Sequence, residues 1–214
     1  MTAAFFDLDL TIVMKDSFQR FILYLYFQKQ YLKWMPWLLL STIQRKLRFI
    51  SLEKFKVKLL RPLSGYHESE IKQIGDKYLE KYISEIMSPN ILSIIQWHKK
   101  NNHLLILATS CPDIYLQSFC YKLGFDTYVG TGLKFINSRF TGEFSDLDLI
   151  GEKKVEKLKP IINELSINLK KSYAYSDNES DLPLLNLVAN PHVIHPTKKL
   201  ETIAKEKGWP ISSW

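Results

Sequence analysis

Short apolar runs and helical periodicity alternate along much of this chain. Consecutive apolar residues bounded by polar ones are typical of buried strands, whereas apolar positions three or four residues apart are typical of helices. Residues 3–6 form an apolar run, and from residue 89 onward strand-like and helix-like segments alternate. The predicted strands are 103–107, one near Tyr128, 172–175 and a final one near Val193, and the predicted helices are 89–100, 112–122, 152–164, a short one after Asp181, and 198–207.

A hairpin is predicted over residues 133–144, with its turn at Asn137-Ser138. Strands separated by helices predict an α/β fold with a mostly parallel sheet. Such sheets bind their ligands outside the carboxyl ends of the strands. The residues that follow each predicted strand are therefore the first candidates for a functional site.

A different pattern fills residues 16–87, where helical periodicity predominates. Apolar positions are dense at 18–27 and again at 34–40, and amphipathic patterns cover 52–63 and 69–82. These segments predict a helical subdomain of about four helices, inserted into the α/β fold. The predicted boundaries are residues 1–14 and 88–214 for the α/β core domain and residues 15–87 for the helical domain.

The composition is that of an ordinary globular protein. With 214 residues, of which 46% are hydrophobic and 24% charged, the chain can bury one sizeable core and carry an inserted subdomain. No basic segment precedes an apolar stretch at the N-terminus, so no secretory signal is predicted and a cytoplasmic location is expected. Cys111 and Cys120 are too few for a disulfide framework and are predicted to be free thiols.

The formal net charge of +7 is compatible with anionic small substrates, nucleic acid or a membrane surface. The lysines are scattered, and no zinc-finger or P-loop pattern occurs, so no nucleic-acid partner is predicted. Lys29 and Lys33 interrupt the apolar stretch 21–40, which argues against a membrane span. Trp34 and Trp37 beside basic residues leave contact with a bilayer surface open, although a subdomain that packs its own aromatics is favoured. Nothing in the pattern indicates an oligomeric state.

Two carboxylates follow the first apolar run. In an extended segment alternate side chains share one face, so Asp7 and Asp9 are expected to point the same way and Leu10 the other. Paired carboxylates suit Mg²⁺, which proteins hold with one or two carboxylates, waters and substrate phosphate. One carboxylate could then attack phosphorus while the other handles the proton on the leaving oxygen.

A second Asp-Leu-Asp sequence serves as an internal control. Asp146 and Asp148 follow a Gly-Glu pair instead of an apolar strand, and no Thr closes the motif. This copy is predicted to be a solvated loop. The first copy is favoured as a chemical site because of the residues that follow it downstream.

Three further segments lie at predicted strand ends or helix starts. Thr109 and Ser110 precede the helix predicted from Pro112, where a phosphate cradle and a plain N-cap are the alternatives. Lys153 and Lys154 open the next long helix, and a lysine pair there is either a solvated face or a counter-charge to phosphate. Asp177 ends a strand and Asp181 begins a helix, so the pair is either a second half of a metal site or a set of caps.

Taken in order, these motifs resemble those of the haloacid dehalogenase superfamily, in the phosphoserine phosphatase-like branch, subfamily IB. They span the whole chain, and the helical segment lies where that branch has its cap domain. The resemblance implies a Rossmann-like α/β core, an inserted all-helical C1-type cap and a Mg²⁺-dependent phosphatase. The four matching motifs are Asp7-x-Asp9-x-Thr11, Thr109-Ser110, Lys154, and Asp177-x-x-x-Asp181.

The resemblance also implies a role for each matched residue. Asp7 would be the nucleophile and Asp9 the general acid and base. Thr109 and Ser110 would bind phosphate, and Lys154 would balance the charge, with Lys153 as the fallback. The metal would be held by Asp7, Asp9 through its carbonyl, Asp177 and Asp181. Leu10 departs from the Gly or small residue usual at its position, and altered packing is expected there.

The cap determines the substrate in this branch, and here the motifs leave alternatives open. Asp16 either meets a cationic substrate group or caps the next helix, and Lys56, Lys58 and Arg61 are candidates for a substrate anion. An amino-alcohol or sugar phosphate, such as a surface-glycan or capsule precursor, is the favoured substrate. A membrane-associated lipid phosphatase of the phosphatidylglycerophosphatase type is the alternative, and a non-catalytic phosphate-binding protein is a weaker third.

Overall fold

A computed structural model describes residues 1–146 and 149–213. The strands of its main sheet are β1 Ala3–Phe6, β2 Leu104–Pro112, β3 Thr127–Thr131, β6 Tyr173–Ser176, β7 Asn190–Ile194 and β8 Ile211–Ser212. They follow the order β3-β2-β1-β6-β7-β8, and every neighbouring pair is parallel. A separate antiparallel hairpin is formed by β4 Leu133–Ile136 and β5 Arg139–Phe144.

The helices fall into two groups. Those of the insertion are α1 Ser17–Tyr26, α2 Met35–Lys46, α3 Leu52–Leu59 and α4 Glu68–Ile86, with 3₁₀ turns at Lys29–Trp34 and Arg61–Leu63. Those of the α/β part are α5 Pro89–Lys100, α6 Leu116–Leu123, α7 Glu152–Glu164, α8 Leu182–Leu187 and α9 Lys198–Lys207, with a 3₁₀ turn at Glu179–Asp181. The predicted α/β fold with a helical insertion is confirmed.

The central strand β1 is buried on both faces, as a parallel sheet requires. Phe6 points into the core that the sheet shares with the helical insertion, where it stacks on Tyr175 with ring centroids 4.5 Å apart. Phe5 points to the opposite core, which includes side chains of α7, α8 and α9. Because its alternate side chains pack into both cores, the end of β1 is held in place between two packed layers, directly before Asp7.

The helix predicted over 112–122 begins later than expected. Pro112 still belongs to β2 and pairs with Thr131 of β3, whose carbonyl accepts the amide hydrogen of Asp113 at 2.9 Å. Pairing with β3 therefore extends the strand past the point where Pro would open a helix. The helix starts at Leu116.

Two other boundaries differ from the prediction. The segment 52–63 is interrupted because Pro62 disfavours helical backbone at the residue before it, so α3 ends at Leu59. The strand near Val193 is not the last one, since Ile211–Ser212 pairs with β7. Two residues are too few for a recognisable apolar pattern. The hairpin prediction is confirmed, with Asn137 and Ser138 both at positive φ, as a two-residue type I′ turn requires.

The helical insertion is predicted from the sequence with the correct number of α-helices. Asp16 caps α1 by accepting a hydrogen bond from the amide of Gln19, and His67 and Glu70 form a capping box at α4. Within the described residues, no helix combines the length and the apolar character needed to cross a bilayer. The division into a core domain and a cap domain with the stated boundaries stays a prediction.

Candidate active site

The carboxyl ends of β1, β2 and β6 meet at one edge of the sheet and border a cleft of about 410 Å³. The insertion closes one side of this cleft with side chains of α1 and α3. Most of the residues predicted from the motifs are brought together there. Among the cleft-lining residues are Asp7, Asp9, Ser110, Lys154, Asp177 and Asp181.

Lys154 joins two of the carboxylates. Its Nζ lies 2.9 Å from Oδ1 of Asp7 and 2.6 Å from Oδ1 of Asp181. Only 2% of Lys154 is exposed, whereas Lys153 is exposed at the surface. The backbone supports this placement, because Gly151 precedes α7 with φ +62° and its carbonyl accepts the amide hydrogen of Lys154. Of the two lysines, Lys154 is the one placed in the cleft.

Burial and charge act in opposite directions on this ion-paired group. Burial raises the pKa of Asp7 to about 7. The positive charge of Lys154 lowers this pKa, and the negative charge of Asp181 raises it further. Burial by itself would lower the pKa of Lys154, but Asp181 and Asp7 outweigh it and the pKa is raised. Lys154 therefore stays positively charged beside Asp7, where a phosphate dianion would need a counter-charge.

Asp177 adds a further carboxylate. It is 4% exposed, and burial, reinforced by the neighbouring Asp7, raises its pKa to about 8. A high pKa in a carboxylate beside another carboxylate indicates a place where a cation would be stabilising. The donor atoms here are all oxygens, which suits Mg²⁺.

The carboxylates do not form a complete metal cage. No group of three His, Cys, Asp or Glu side chains within residues 1–146 and 149–213 is arranged to hold an ion. Asp181 already bonds Lys154 and accepts a hydrogen bond from Ser176 Oγ at 2.8 Å. Asp7 and Asp177, whose charges act on one another, offer carboxylate oxygens that could hold Mg²⁺. A magnesium site with few protein ligands is ordinary because the ion retains waters and binds substrate phosphate.

Asp9 is held by a different set of donors. Its Oδ1 accepts the amide hydrogen of Ser17 at 2.9 Å, and its Oδ2 accepts a hydrogen bond from the thiol of Cys111 at 3.2 Å. Burial raises its pKa to about 6, Asp16 adds to the rise, and the bonds from Ser17 and Cys111 oppose it. A carboxylic acid with a pKa near neutrality can both give and take a proton, as acid-base catalysis requires.

The sequence pattern does not single out Ser17 or Cys111. It indicates only a helix start next to Asp16 and an ordinary free thiol at Cys111. The available signal is positional, since Cys111 follows the Thr109-Ser110 motif and Ser17 follows the predicted cap Asp16. Their meeting depends on the packing of α1 against the end of β2, which no local pattern specifies.

Leu10 overturns the extended interpretation of the first motif. Its φ is +58°, in the left-handed region, and the chain turns there because the amide of Ile12 donates to the carbonyl of Leu8 at 2.9 Å. The Leu10 side chain is 39% exposed and lines the cleft, so it does not point away from the aspartates. A residue without a Cβ would adopt this conformation without strain, so Leu10 occupies a backbone position that favours glycine.

Thr109 and Ser110 lie next to the cleft, but without the helix N-terminus predicted behind them. Thr109 is buried within β2, and its Oγ1 accepts the amide hydrogen of Cys111 at 3.2 Å. Ser110 lines the cleft, while its carbonyl accepts hydrogen bonds from Lys56 Nζ at 3.2 Å and Thr131 Oγ1 at 3.0 Å. The predicted helix-terminus cradle is wrong because α6 starts only at Leu116.

The predicted specificity residues divide into two pairs. Asp16 and Lys56 line the cleft, and Asp16 also caps α1, so its two interpretations are compatible. Lys58 and Arg61 instead lie over the ring of Trp37, at 5.1 and 5.2 Å from its centroid. Lys58 also donates to Gln44 Oε1 at 2.7 Å. These two cations stabilise contacts within the insertion.

The second Asp-Leu-Asp copy lies apart from these groups. Asp146 accepts a hydrogen bond from the amide of Gly132 at 2.8 Å and forms an ion pair with Lys157. Its side chain is therefore half-buried and bonded, not fully solvated as predicted. Asp148 lies outside the described residues.

Comparison with known proteins supplies the family. The sequence profile of the haloacid dehalogenase-like hydrolases matches residues 4–186. The chain belongs to this family. Histidinol-phosphatase of Neisseria meningitidis is 31% identical over 156 residues, covering 71% of this chain and 70% of the relative. Phosphoserine phosphatase SerB1 of Mycobacterium tuberculosis is 26% identical over 215 residues, covering 98% of this chain and 70% of the relative.

The solved structures agree on the fold of this haloacid dehalogenase-like hydrolase. A crystal structure of a Bordetella pertussis protein superimposes with a TM-score of 0.85 over 99% of both chains, at 20% identity. The resemblance to the phosphoserine phosphatase-like branch is confirmed, and the protein is a haloacid dehalogenase-family phosphatase. The roles of individual residues rest on the geometry described above and are proposals.

Proposed function

We propose that this phosphatase is a Mg²⁺-dependent phosphomonoester hydrolase that works through an aspartyl-phosphate on Asp7. The observation that carries the proposal is the pairing of two differently supported carboxylates in one cleft. Asp7 lies against the buried cation of Lys154, whereas Asp9 is held by Ser17 and Cys111. One carboxylate is thus placed beside a counter-charge for phosphate and the other is kept ready to exchange a proton.

The reaction divides into two transfers. A carboxylate oxygen of Asp7 forms a bond to phosphorus while the bond from phosphorus to the ester oxygen breaks, and Asp9 gives its proton to the departing oxygen. Asp9, now ionised, takes a proton from water as that water attacks phosphorus. The bond between phosphorus and Asp7 breaks, which returns Asp7 as a carboxylate and releases inorganic phosphate.

The remaining residues of the cleft bind and balance charge. Lys154 neutralises the phosphate and Asp7 together, and Asp181 fixes Lys154 through the 2.6 Å contact. Asp7 and Asp177 would hold Mg²⁺, which would orient the phosphate and offset its negative charge. Ser110 borders the space for the phosphate oxygens.

We favour a small phosphorylated amine as the substrate. Asp16 and Lys56 present a carboxylate and an ammonium at the cleft, so a substrate with a cationic group could pair with Asp16. Relatives named as a histidinol-phosphatase and a phosphoserine phosphatase support this class, since both named compounds carry an amine. Sugar phosphates, including glycan precursors, are the neutral members of the same proposal.

A groove in the insertion favours a second candidate, a phosphomonoester with an apolar tail. It encloses about 550 Å³ between α1, α2 and α3 and is lined mainly by apolar side chains. Four residues line both this groove and the catalytic cleft, so the two are continuous; they are Asp16, Phe18, Leu52 and Lys56. An apolar tail could lie in the groove while its phosphate reaches Asp7.

The decisive experiment is phosphate release from a panel of amine-bearing, sugar, nucleotide and lipid phosphates, with Mg²⁺ and with a chelator. We expect turnover of at least one class that requires Mg²⁺ and disappears in Asp7→Asn. Turnover of amine-bearing phosphates supports the first candidate, and turnover of lipid phosphates alone supports the second. Full activity of Asp7→Asn would overturn the nucleophile assignment.

A further inference from the structure

The positive charge of the chain is concentrated in the first part of the insertion. Residues 17–63 contain ten Lys and Arg residues and a single acidic residue, Glu53, which gives a formal charge of +9. The whole chain carries +7, so the remainder is slightly acidic. Positive charge concentrated on one subdomain favours an anionic partner on that side of the molecule.

Helix α2 leaves a row of apolar side chains exposed. Leu39 and Ile43, one turn apart, are 60% and 54% exposed, and Leu47, one turn further, is 57% exposed. Leu40 beside them is 47% exposed and Phe49, just beyond the helix, is 77% exposed. These five side chains are called the α2 face below.

The inward side of the same helix is mixed, because Met35 and Leu38 pack against the core beside buried or half-buried polar groups. Ser41 is 1% exposed, and its hydroxyl is buried without a hydrogen-bond partner in the described structure. Gln44 turns to Lys58 through a 2.7 Å hydrogen bond. An amphipathic helix of a globular protein normally buries its apolar stripe. In α2 a substantial part of the apolar surface is left to the outside, which indicates an external apolar partner.

Basic side chains accompany the α2 face. Lys46 and Arg48 lie in the sequence between residues of the α2 face and are exposed. Lys54 is exposed on α3. Apolar side chains in the middle of a basic surface are typical of helices that lie in the interface of an anionic bilayer. The apolar groups enter the acyl boundary and the cations meet the lipid phosphates.

We propose that the α2 face docks the protein on the surface of an anionic lipid bilayer. A second copy of this chain fits the same surface poorly, because a symmetric contact would place two segments of charge +9 against each other. A bilayer of anionic lipid satisfies both the apolar side chains and the charge.

Docking in this way would place a substrate path at the membrane. The groove between α1, α2 and α3 includes Leu39 of the α2 face and runs to Asp16 and Lys56 in the catalytic cleft. The docking does not rest on the proposed function, since it depends on side chains outside the cleft. Binding and catalysis can therefore be tested separately.

The test is sedimentation of the full chain with vesicles of mixed phosphatidylcholine and phosphatidylglycerol, compared with vesicles of phosphatidylcholine alone. We expect binding to the mixed vesicles that weakens as salt is raised, because salt screens charge. Leu39→Ser combined with Ile43→Ser should reduce the bound fraction about tenfold or more. Lys46→Glu combined with Arg48→Glu should reduce it similarly.

Matched control variants distinguish docking through the α2 face from nonspecific binding to vesicles. Tyr121→Ser combined with Ile136→Ser removes two exposed apolar groups elsewhere, at 88% and 60% exposure, and should bind like the original chain. Lys122→Glu combined with Lys171→Glu makes the same charge change on other surfaces. Circular dichroism of each variant checks that the fold is retained.

Three outcomes would overturn the inference. The first is absence of binding to the mixed vesicles, and the second is an equal loss of binding in the control pairs. The third is that the chain binds no lipid and instead forms a dimer in analytical ultracentrifugation, which Leu39→Ser with Ile43→Ser dissociates. Asp7→Asn distinguishes this inference from the proposed function. It should lose phosphatase activity and bind vesicles as the original chain does.

Discussion

The thiol of Cys111 donates a hydrogen bond to the carboxylate of Asp9 across 3.2 Å, from the end of β2 to the turn after β1. The contact joins the Asp7-x-Asp9 segment to the segment that follows Thr109-Ser110. Behind it, Ser17 Oγ contacts Cys111 Sγ at 3.6 Å and Tyr115 Oη at 2.8 Å. The position of Asp9 is therefore fixed by a hydrogen-bonded group that includes residues of the insertion.

Removing the thiol should impair turnover more than substrate binding. In Cys111→Ala, Asp9 loses one of its donors and is free to leave the position from which it reaches the ester oxygen, so we expect kcat to fall about tenfold or more. Cys111→Ser keeps a donor of similar size and should retain most of the activity. A steady-state comparison of kcat and KM checks this. Equal kcat in the alanine variant and the original chain would contradict a positioning role for Cys111.

The neighbouring lysines Lys153 and Lys154 provide a matched pair of substitutions. Lys154→Met would leave the buried carboxylates of Asp7 and Asp181 without their cation, so we expect a loss of about 3–5 kcal/mol in the free energy of unfolding and loss of activity. Lys153→Met changes an exposed side chain one residue away and should leave both properties within experimental error. Urea unfolding and phosphate release measure the two effects. A similar outcome for both variants would refute the assignment of Lys154 to the site.

Asp16 can be tested without disturbing the helix that it caps. Asn is as good an N-cap as Asp, so Asp16→Asn removes the charge and retains the hydrogen bond to the amide of Gln19. We expect kcat/KM to fall about tenfold for amine-bearing phosphates and to change little for neutral sugar phosphates. Parallel kinetics on one substrate of each kind provide the comparison. An equal effect on both classes would place Asp16 outside substrate recognition.

Substitutions of Leu10 test whether its backbone conformation at the cleft is strained. Because its φ of +58° lies in the left-handed region, we expect Leu10→Gly to be about as stable as the original chain, relief of strain offsetting the extra freedom of the unfolded state. Leu10→Val should cost about 1–2 kcal/mol, since a β-branched residue is poorly tolerated there. Chemical denaturation of the two variants gives the free energies of unfolding. Equal stability of Val and Leu at this position would argue against strain.

Leu10 also shows why the sequence predicts the elements better than the site. The strand before Asp7 follows from a local apolar run, and the hairpin follows from Asn137-Ser138, so both are predicted correctly. The turn at Leu10 has no such local signal, because Leu does not favour positive φ. It follows from hydrogen bonds to the carbonyl of Leu8 and from the packing around it.

The same distinction applies to the site residues. Asp7, Lys154 and Asp177 follow strands or open a helix, so their meeting can be predicted from the topology of a parallel sheet. The contacts of Asp9 with Ser17 and Cys111 depend on where the insertion packs against the sheet. That packing is set by tertiary contacts of large side chains, which local periodicity does not encode.

A buried histidine far from the cleft should contribute to the pH dependence of stability. His98 is 0% exposed and contacts Tyr175 Oη and His103 Nδ1 at 2.8 Å each, and burial together with His103 lowers its pKa to about 4. The unfolded chain binds a proton at this residue near pH 6.5, so the contribution of His98 to the free energy of unfolding should fall as pH is lowered from about 6.5 to about 4. The raised pKa values of Asp7, Asp9 and Asp177 act in the opposite direction over the same range. His98→Gln removes the titrating group, so its free energy of unfolding should rise relative to that of the original chain as pH is lowered through this range. Urea unfolding between pH 7.5 and 4.5 measures the slopes, and identical slopes in His98→Gln and the original chain would show that other groups carry the pH dependence.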